Sequence, residues 1–147
     1  MIHLPDFLKP APMPEPRVMP LHAPENITSV LLVDDEPAIR SLFAMCLRRD
    51  GYFVVEAQDG EAALAAAEAT GRIDVVVTDI KMPRMDGLKL ADALRAVHPD
   101  MDVIFVSGYP LDHGRLGPHT HLLNKPFLKD DLMQVLTRVA GPPARTH

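Results

Sequence analysis

Ile73-Asp74-Val75-Val76-Val77-Thr78-Asp79 is an apolar, β-branched run that stops on a carboxylate, and the chain breaks soon afterwards at Met82-Pro83. A short valine-rich run between two candidate helices has the composition of a strand buried on both faces of a parallel sheet. Asp79 then emerges at the strand's carboxyl end, where open α/β sheets place their ligands.

The same grammar recurs on both sides of this strand. Upstream, Ser29 to Val33 predicts a first strand ending on Asp34-Asp35-Glu36-Pro37. The proline suits the first turn of a helix, and the acids suit its positive end. That helix runs to about Arg49, with Gly51 as its stop and an apolar stripe of Ile39, Leu42, Phe43, Cys46 and Leu47. A strand at 52–57 follows, and then an alanine-rich helix from Gly60 to Thr70, with Asp59 as its cap and Gly71 as its stop. Downstream of Asp79 comes the loop Lys81-Met82-Pro83-Arg84-Met85-Asp86-Gly87, then a helix presenting Leu90, Ala91, Leu94 and Val97 on one face. Lys89 and Arg95 are expected on its solvated side. Residues 101–106 predict a fourth strand ending on Ser107-Gly108, and His121 to Asn124 a short fifth one ending on Lys125-Pro126-Phe127. The last helix, from about Lys129 to Val139, offers Leu128, Leu132, Val135, Leu136 and Val139 to the core. Between strands four and five, Pro110, Gly114, Gly117 and Pro118 break up residues 109–120, so a helix there must be short or irregular.

Five strands alternating with helices specify an α/β fold, a doubly wound five-stranded parallel sheet with helices on both faces. The expected organisation is a Pro-rich disordered tail over 1–27, a folded domain over 28–140 and a short C-terminal tail over 141–147. Prolines at 5, 10, 12, 14, 16, 20 and 24 prevent regular structure in the first of these. Met13 and Met19 leave the translational start open.

Composition narrows the function. With 47% hydrophobic and 24% charged residues, the 147-residue chain has material for one real core. A formal net charge of −5 and the lack of any basic run argue against nucleic acid as a partner. The single cysteine excludes an intrachain disulfide, and its place in the helical stripe predicts a buried packing thiol. No apolar run approaches the roughly 20 residues of a spanning helix, and the N-terminus has no signal-peptide apolar region. A cytoplasmic protein without a membrane partner is expected.

The strand ends carry the chemistry. Asp34 and Asp35 follow the first strand, Asp79 ends the third, Ser107 the fourth, and Lys125 follows the fifth. Singly, such residues cap helices and turn loops. Together, three carboxylates on one rim repel each other and require a counter-charge. An all-oxygen set suits a hard divalent cation such as Mg²⁺. A metal and a lysine can neutralise phosphoryl oxygens while a carboxylate oxygen attacks in line, so phosphoryl chemistry at Asp79 is indicated. Ser107 can hydrogen-bond a further phosphoryl oxygen, with Gly108 leaving the site open. His113, His119 and His121 lack a defined ligand spacing and are expected to be structural or exposed.

Val33-Asp34-Asp35-Glu36, Asp79 with Met82-Pro83 and Asp86-Gly87, Ser107-Gly108, and Lys125-Pro126-Phe127 together resemble the receiver domain of bacterial two-component response regulators. The resemblance covers about residues 28–140 and implies a flavodoxin-like strand order of 2-1-3-4-5. It implies that Asp79 accepts a phosphoryl group from a histidine kinase, and that Asp34, Asp35 and Asp79 hold Mg²⁺ with the backbone carbonyl of Lys81. By the same resemblance Ser107 is the switch hydroxyl, Lys125 contacts the aspartyl phosphate, and Pro126 follows a cis peptide bond. One departure concerns the position three residues before the lysine. It is usually Tyr or Phe in the family and is Leu122 here. The Ser-Gly-Tyr-Pro run further resembles receivers of hybrid histidine kinases.

The resemblance implies a phosphorylatable switch rather than an enzyme proper, and since only one helix and a short tail follow Lys125, too little for a helix-turn-helix module, a stand-alone receiver is expected. It would catalyse only its own phosphorylation and slow dephosphorylation, and would signal through partner binding without a DNA-binding output domain. Its partners would be a sensor or hybrid histidine kinase, or a histidine phosphotransfer protein, and a downstream protein; homodimer formation is left open. Two alternatives stand beside it. An aspartyl-nucleophile phosphohydrolase commonly needs a second acid two residues after the nucleophile, where this chain has Lys81. A receiver-like interaction module that is never phosphorylated would not need the full polar set.

Overall fold

The structure is a computed structural model that describes residues 23–109 and 117–143. Most of the expected N-terminal tail, the centre of the Pro/Gly-broken segment with His113, and residues 144–147 lie outside the described residues. The strands are β1 (Ser29–Val33), β2 (Phe53–Ala57), β3 (Val75–Asp79), β4 (Asp102–Ser107) and β5 (Thr120–Asn124). The helices among the described residues are α1 (Pro37–Arg49), α2 (Gly60–Thr70), α3 (Gly87–Val97) and α4 (Lys129–Ala140). All strand pairs are parallel, in the order β2-β1-β3-β4-β5.

Alternation along each buried strand divides the core in two, because successive side chains point to opposite faces. Val30, Leu32, Val75, Val77, Ile104 and Val106 pack on one face with Leu47 of α1 and Leu132 and Leu136 of α4. Leu31, Val33, Val76, Val103 and Phe105 pack on the other with Ala63 and Ala67 of α2 and Leu90 and Leu94 of α3. Each fully buried Val or Leu contributes roughly 1.5–3 kcal/mol. All five residues of β1 and of β3 are buried, and the apolar stretches from Val30 to Val33 and from Val75 to Val77 therefore run without a polar break.

The helix starts follow local chemistry. Asp59 accepts the Ala62 amide at 2.8 Å to cap α2, and Asp86 accepts the Lys89 amide at 2.8 Å to cap α3. Pro37 occupies the first turn of α1 as expected. The chain on either side of the domain is tied to it: Arg72 donates to the carbonyls of Pro24, Glu25 and Ile27, and the Thr28 amide donates to Pro143 O at 2.9 Å.

Four expectations about side-chain placement are corrected. Cys46 is half-buried rather than buried, and Ile39 and Leu42 are exposed. Ala44 and Leu47 form the buried face of α1 instead, because a small residue lets the helix approach the sheet closely. Val97 is 74% exposed: as the last residue of α3 it lines surface grooves rather than the sheet. Leu128 is also 74% exposed, since it is the extended N-cap of α4 and lies outside the helical period. Arg95 is not merely solvated: it donates to Pro118 O, His119 O and Thr120 Oγ1, at 3.3, 3.1 and 2.6 Å, fastening α3 to the approach to β5.

Candidate functional site

The register of the sheet gathers the candidate residues. Val33 stands opposite Thr78, so Asp34 leaves β1 alongside the Asp79 position of β3. Asp79 stands opposite Val106, which puts Ser107 one residue further along β4. Ser107 stands opposite Asn124, which puts Lys125 one residue beyond β5. Four strand ends thus deliver their polar residues to one rim, at the carboxyl edge of a doubly wound sheet.

Asp79 is buried, with 6% of its surface exposed, and Lys125 Nζ lies 2.7 Å from its Oδ1. Burial is the largest influence on the Asp79 carboxyl and pushes its pKa up. The Lys125 bond and charge pull the other way, Asp34 and Asp35 add to the rise, and the net shift is upward. Burial alone would lower the Lys125 pKa. The bond to Asp79 and the charges of Asp79, Asp34 and Glu36 outweigh it and raise the ammonium above its ordinary value. The lysine is thus held charged by the acids, while the acids stay mutually frustrated.

Asp34, Asp35 and Asp79 each offer a carboxylate oxygen, all within 4.8 Å of one another. Three hard oxygen donors, one half-buried, one exposed and one buried, fit a hard divalent cation. Such an ion would offset the repulsion by Asp34 and Asp35 that adds to the effect of burial on Asp79. Asp34 is steadied from both sides: its Oδ1 accepts the Glu36 amide at 2.8 Å, and its carbonyl accepts Arg40 Nη1 at 2.8 Å.

The loop after β3 is moulded by contacts that composition does not reveal. A Cβ at Gly87 would lie 2.2 Å from the carbonyl oxygen of Asp79, so only glycine lets α3 begin this close to the candidate nucleophile. The Gly87 amide donates to Ile80 O at 2.7 Å, closing the loop. The sequence carried a signal for this residue in Asp86-Gly87, but no reason for it. At Gly108 a Cβ would meet no atom of the described residues within 4 Å, so none of them crowds the rim beside Ser107.

The Ser107 hydroxyl oxygen accepts the Tyr109 amide at 3.1 Å. Lys81, exposed, places its Nζ 4.2 Å from the centroid of the Tyr109 ring. The sequence carries no signal for the contact between the Lys81 side chain and Tyr109, because it depends on how two loops fold over the rim. Leu122 stands opposite Phe105 in the register and packs, partly buried, with the α2–α3 core. The Lys125–Pro126 peptide bond is cis. His119 and His121 lie away from this rim: His119 Nδ1 and His121 Nε2 lie 3.2 and 3.4 Å from Asp102 Oδ1, near the start of β4.

Fold and site together define a flavodoxin-like α/β protein with an acidic pocket and a lysine at the carboxyl ends of its strands. A family model of the response regulator receiver domain matches residues 30–137, and the chain belongs to that family. It is 48% identical over 85 residues to the sensor kinase CckA of Brucella abortus, an alignment covering 57% of this chain and 9% of the kinase's length. Its structure resembles chemotaxis protein CheY4 of Vibrio cholerae (TM-score 0.70, 32% identity, 77% of this chain and 98% of the other). It also resembles the response regulator TrrA of Thermotoga maritima, solved in complex with Mg(2+)-BeF (TM-score 0.64, 31% identity, 77% of this chain and 99% of the other). Among the described residues no helix is long and apolar enough to cross a membrane.

Proposed function

We propose that the chain is a phosphorylatable switch of a two-component or phosphorelay system, with residues 28–140 as its signalling unit. Asp79 is the phosphoacceptor: a carboxylate oxygen forms the P–O bond as the P–N bond of a donor phosphohistidine breaks, and the imidazole leaves with the electron pair. Mg²⁺, as in the TrrA complex, would be held by Asp34, Asp35, Asp79 and the backbone carbonyl of Lys81, and when bound it supplies charge neutralisation for the phosphoryl oxygens. Lys125 holds the acceptor carboxylate in place and then binds the phosphoryl group, and Ser107 donates a hydrogen bond to another of its oxygens. The phosphoryl donor would be a histidine kinase or a histidine phosphotransfer protein, in keeping with the similarity to a sensor kinase. Output passes through protein partners in the cytoplasm rather than through DNA.

The observation that carries this reading is the buried Asp79 carboxylate, paired with Lys125 at 2.7 Å beside two further acids. Incubation with Mg²⁺ and a small acyl phosphate or a histidine kinase, followed by intact-mass analysis, tests it. A phosphoryl adduct that is absent from Asp79→Asn is expected. No adduct with either donor would overturn the reading, and steady turnover of a phosphate monoester would favour a hydrolase instead.

A further inference from the structure

The two contacts made by Tyr109 tie it to the site in different ways. Its amide donates to Ser107 Oγ at 3.1 Å, and its ring lies under the Lys81 ammonium at 4.2 Å. Lys81 comes from the loop after β3 and Tyr109 from the loop after β4, so the pair spans the rim between Asp79 and Ser107. Meanwhile position 122, on the neighbouring strand, holds a leucine packed among apolar residues and has no polar link to the site.

We propose that the Lys81 ammonium is a second phosphoryl-binding cation, parked on the Tyr109 ring, and that its transfer to a phosphoryl group on Asp79 releases Tyr109 as the residue that reports phosphorylation. This rests on the reading of Asp79 as the phosphoacceptor.

Three physical points support the transfer. An exposed contact between an ammonium and an aromatic face is weak, whereas a charge-assisted hydrogen bond to a phosphoryl oxygen is among the stronger polar contacts. Tyr109 is 60% exposed, so the ring contact belongs to the weak kind. Phosphorylation adds negative charge and acceptor oxygens next to a lysine that stands two residues from Asp79 on a flexible four-carbon stem. Lys81 therefore exchanges the ring for the phosphoryl oxygens.

The second link acts at the same moment. When the Ser107 side chain turns about its Cα–Cβ bond to donate to the phosphoryl group, Oγ moves relative to the Tyr109 amide from which it accepts. Tyr109 thus loses its ring partner while its backbone anchor shifts, and both changes occur on an exposed surface where a partner protein can read them. An aromatic residue at position 122 is not required for this route.

The chain has two tyrosines and no tryptophan, which makes Tyr109 its own spectroscopic probe. In a Tyr52→Phe background, tyrosine emission is followed while Mg²⁺ and beryllofluoride are titrated in, and beryllofluoride binding is measured separately by ¹⁹F NMR. Tyr109 emission is expected to change in step with binding. In Lys81→Met, which keeps the apolar stem and the backbone carbonyl, beryllofluoride should bind about fivefold more weakly and the emission change should be lost. Binding without a Tyr109 response overturns the inference, as does a Lys81→Met variant with unchanged affinity or an unchanged response, and in these cases the phosphoacceptor reading survives. No beryllofluoride binding at all removes that reading, and the inference with it.

Discussion

Lys125 Nζ lies 2.7 Å from Asp79 Oδ1, yet the Asp79 pKa is still raised above its ordinary value. A close ammonium normally depresses a carboxyl pKa. Here burial, reinforced by Asp34 and Asp35, outweighs it, so the ion pair compensates the acidic pocket only in part. That incomplete compensation makes the site responsive to anything that changes its charge.

Lys125→Ala should therefore act twice. It leaves three acids without their neighbouring cation, so the metal-free protein should unfold at a lower temperature near pH 7, and a divalent cation should restore much of the loss. Aspartyl phosphate formation should also slow about tenfold to a hundredfold, the range given by the loss of a hydrogen bond between charged groups at about 1.5–3 kcal/mol. Thermal melts with and without Mg²⁺, and adduct formation followed by intact mass, read the two effects separately. A variant that melts like the parent in both conditions would show that the lysine compensates nothing.

The pH dependence follows from the raised Asp79 pKa. Between the ordinary carboxyl pKa and the raised one, the folded state binds more protons at this group than the unfolded chain does. Asp79 therefore makes its stabilising contribution at low pH and loses it as pH rises through the raised pKa. In metal-free protein, Asp79→Asn should flatten this part of the stability profile, as measured by denaturant midpoints over a pH series. A divalent cation should stabilise the parent, by about 2.7 kcal/mol at a hundredfold excess over its Kd. That gain should fade as acidification protonates the ligands. Cation stabilisation equal at acid and neutral pH would argue against a carboxylate site.

Much of the fold and the set of candidate residues is legible because buried parallel strands write themselves as short apolar runs, and β1, β3, β4 and β5 each end on or just before a candidate site residue. β3 stopping on Asp79 and β5 handing on to Lys125 needed no knowledge of side-chain packing. What the sequence hid was contact across loops. Lys81 over Tyr109 and Gly87 against the Asp79 carbonyl depend on the approach of segments that share no periodicity. The phase of α1 is hidden for a related reason: Ile39, Leu42 and Cys46 look like a core stripe by hydropathy, yet the smaller Ala44 takes the buried face. Arg95 looked solvated because its acceptors, two of them backbone carbonyls, come from a segment more than twenty residues away.

Arg95→Ala should loosen the approach to β5 without touching the acidic rim. It removes donors to Pro118 O, His119 O and Thr120 Oγ1, each bond worth about 0.5–1.5 kcal/mol. Hydrogen exchange should quicken over residues 117–121, while the binding of a divalent cation, measured by titration, stays as in the parent. Unchanged exchange there would mean that α3 does not hold this segment.

Gly87 provides the sharpest steric test of how the fold positions its candidate nucleophile. A Cβ placed 2.2 Å from the Asp79 carbonyl oxygen meets backbone, not a flexible side chain, so the start of α3 must move away from the end of β3. Overpacking of this kind costs about 1–3 kcal/mol, and the displaced loop carries Lys81 and its carbonyl with it. Gly87→Ala should thus lower both the unfolding midpoint and the affinity for a divalent cation. Gly108→Ala, where the added carbon meets nothing within 4 Å among the described residues, should leave stability within about 0.5 kcal/mol of the parent. Paired urea melts on the two variants decide the point: equal midpoints would show that the close approach at Gly87 is not what sets the loop.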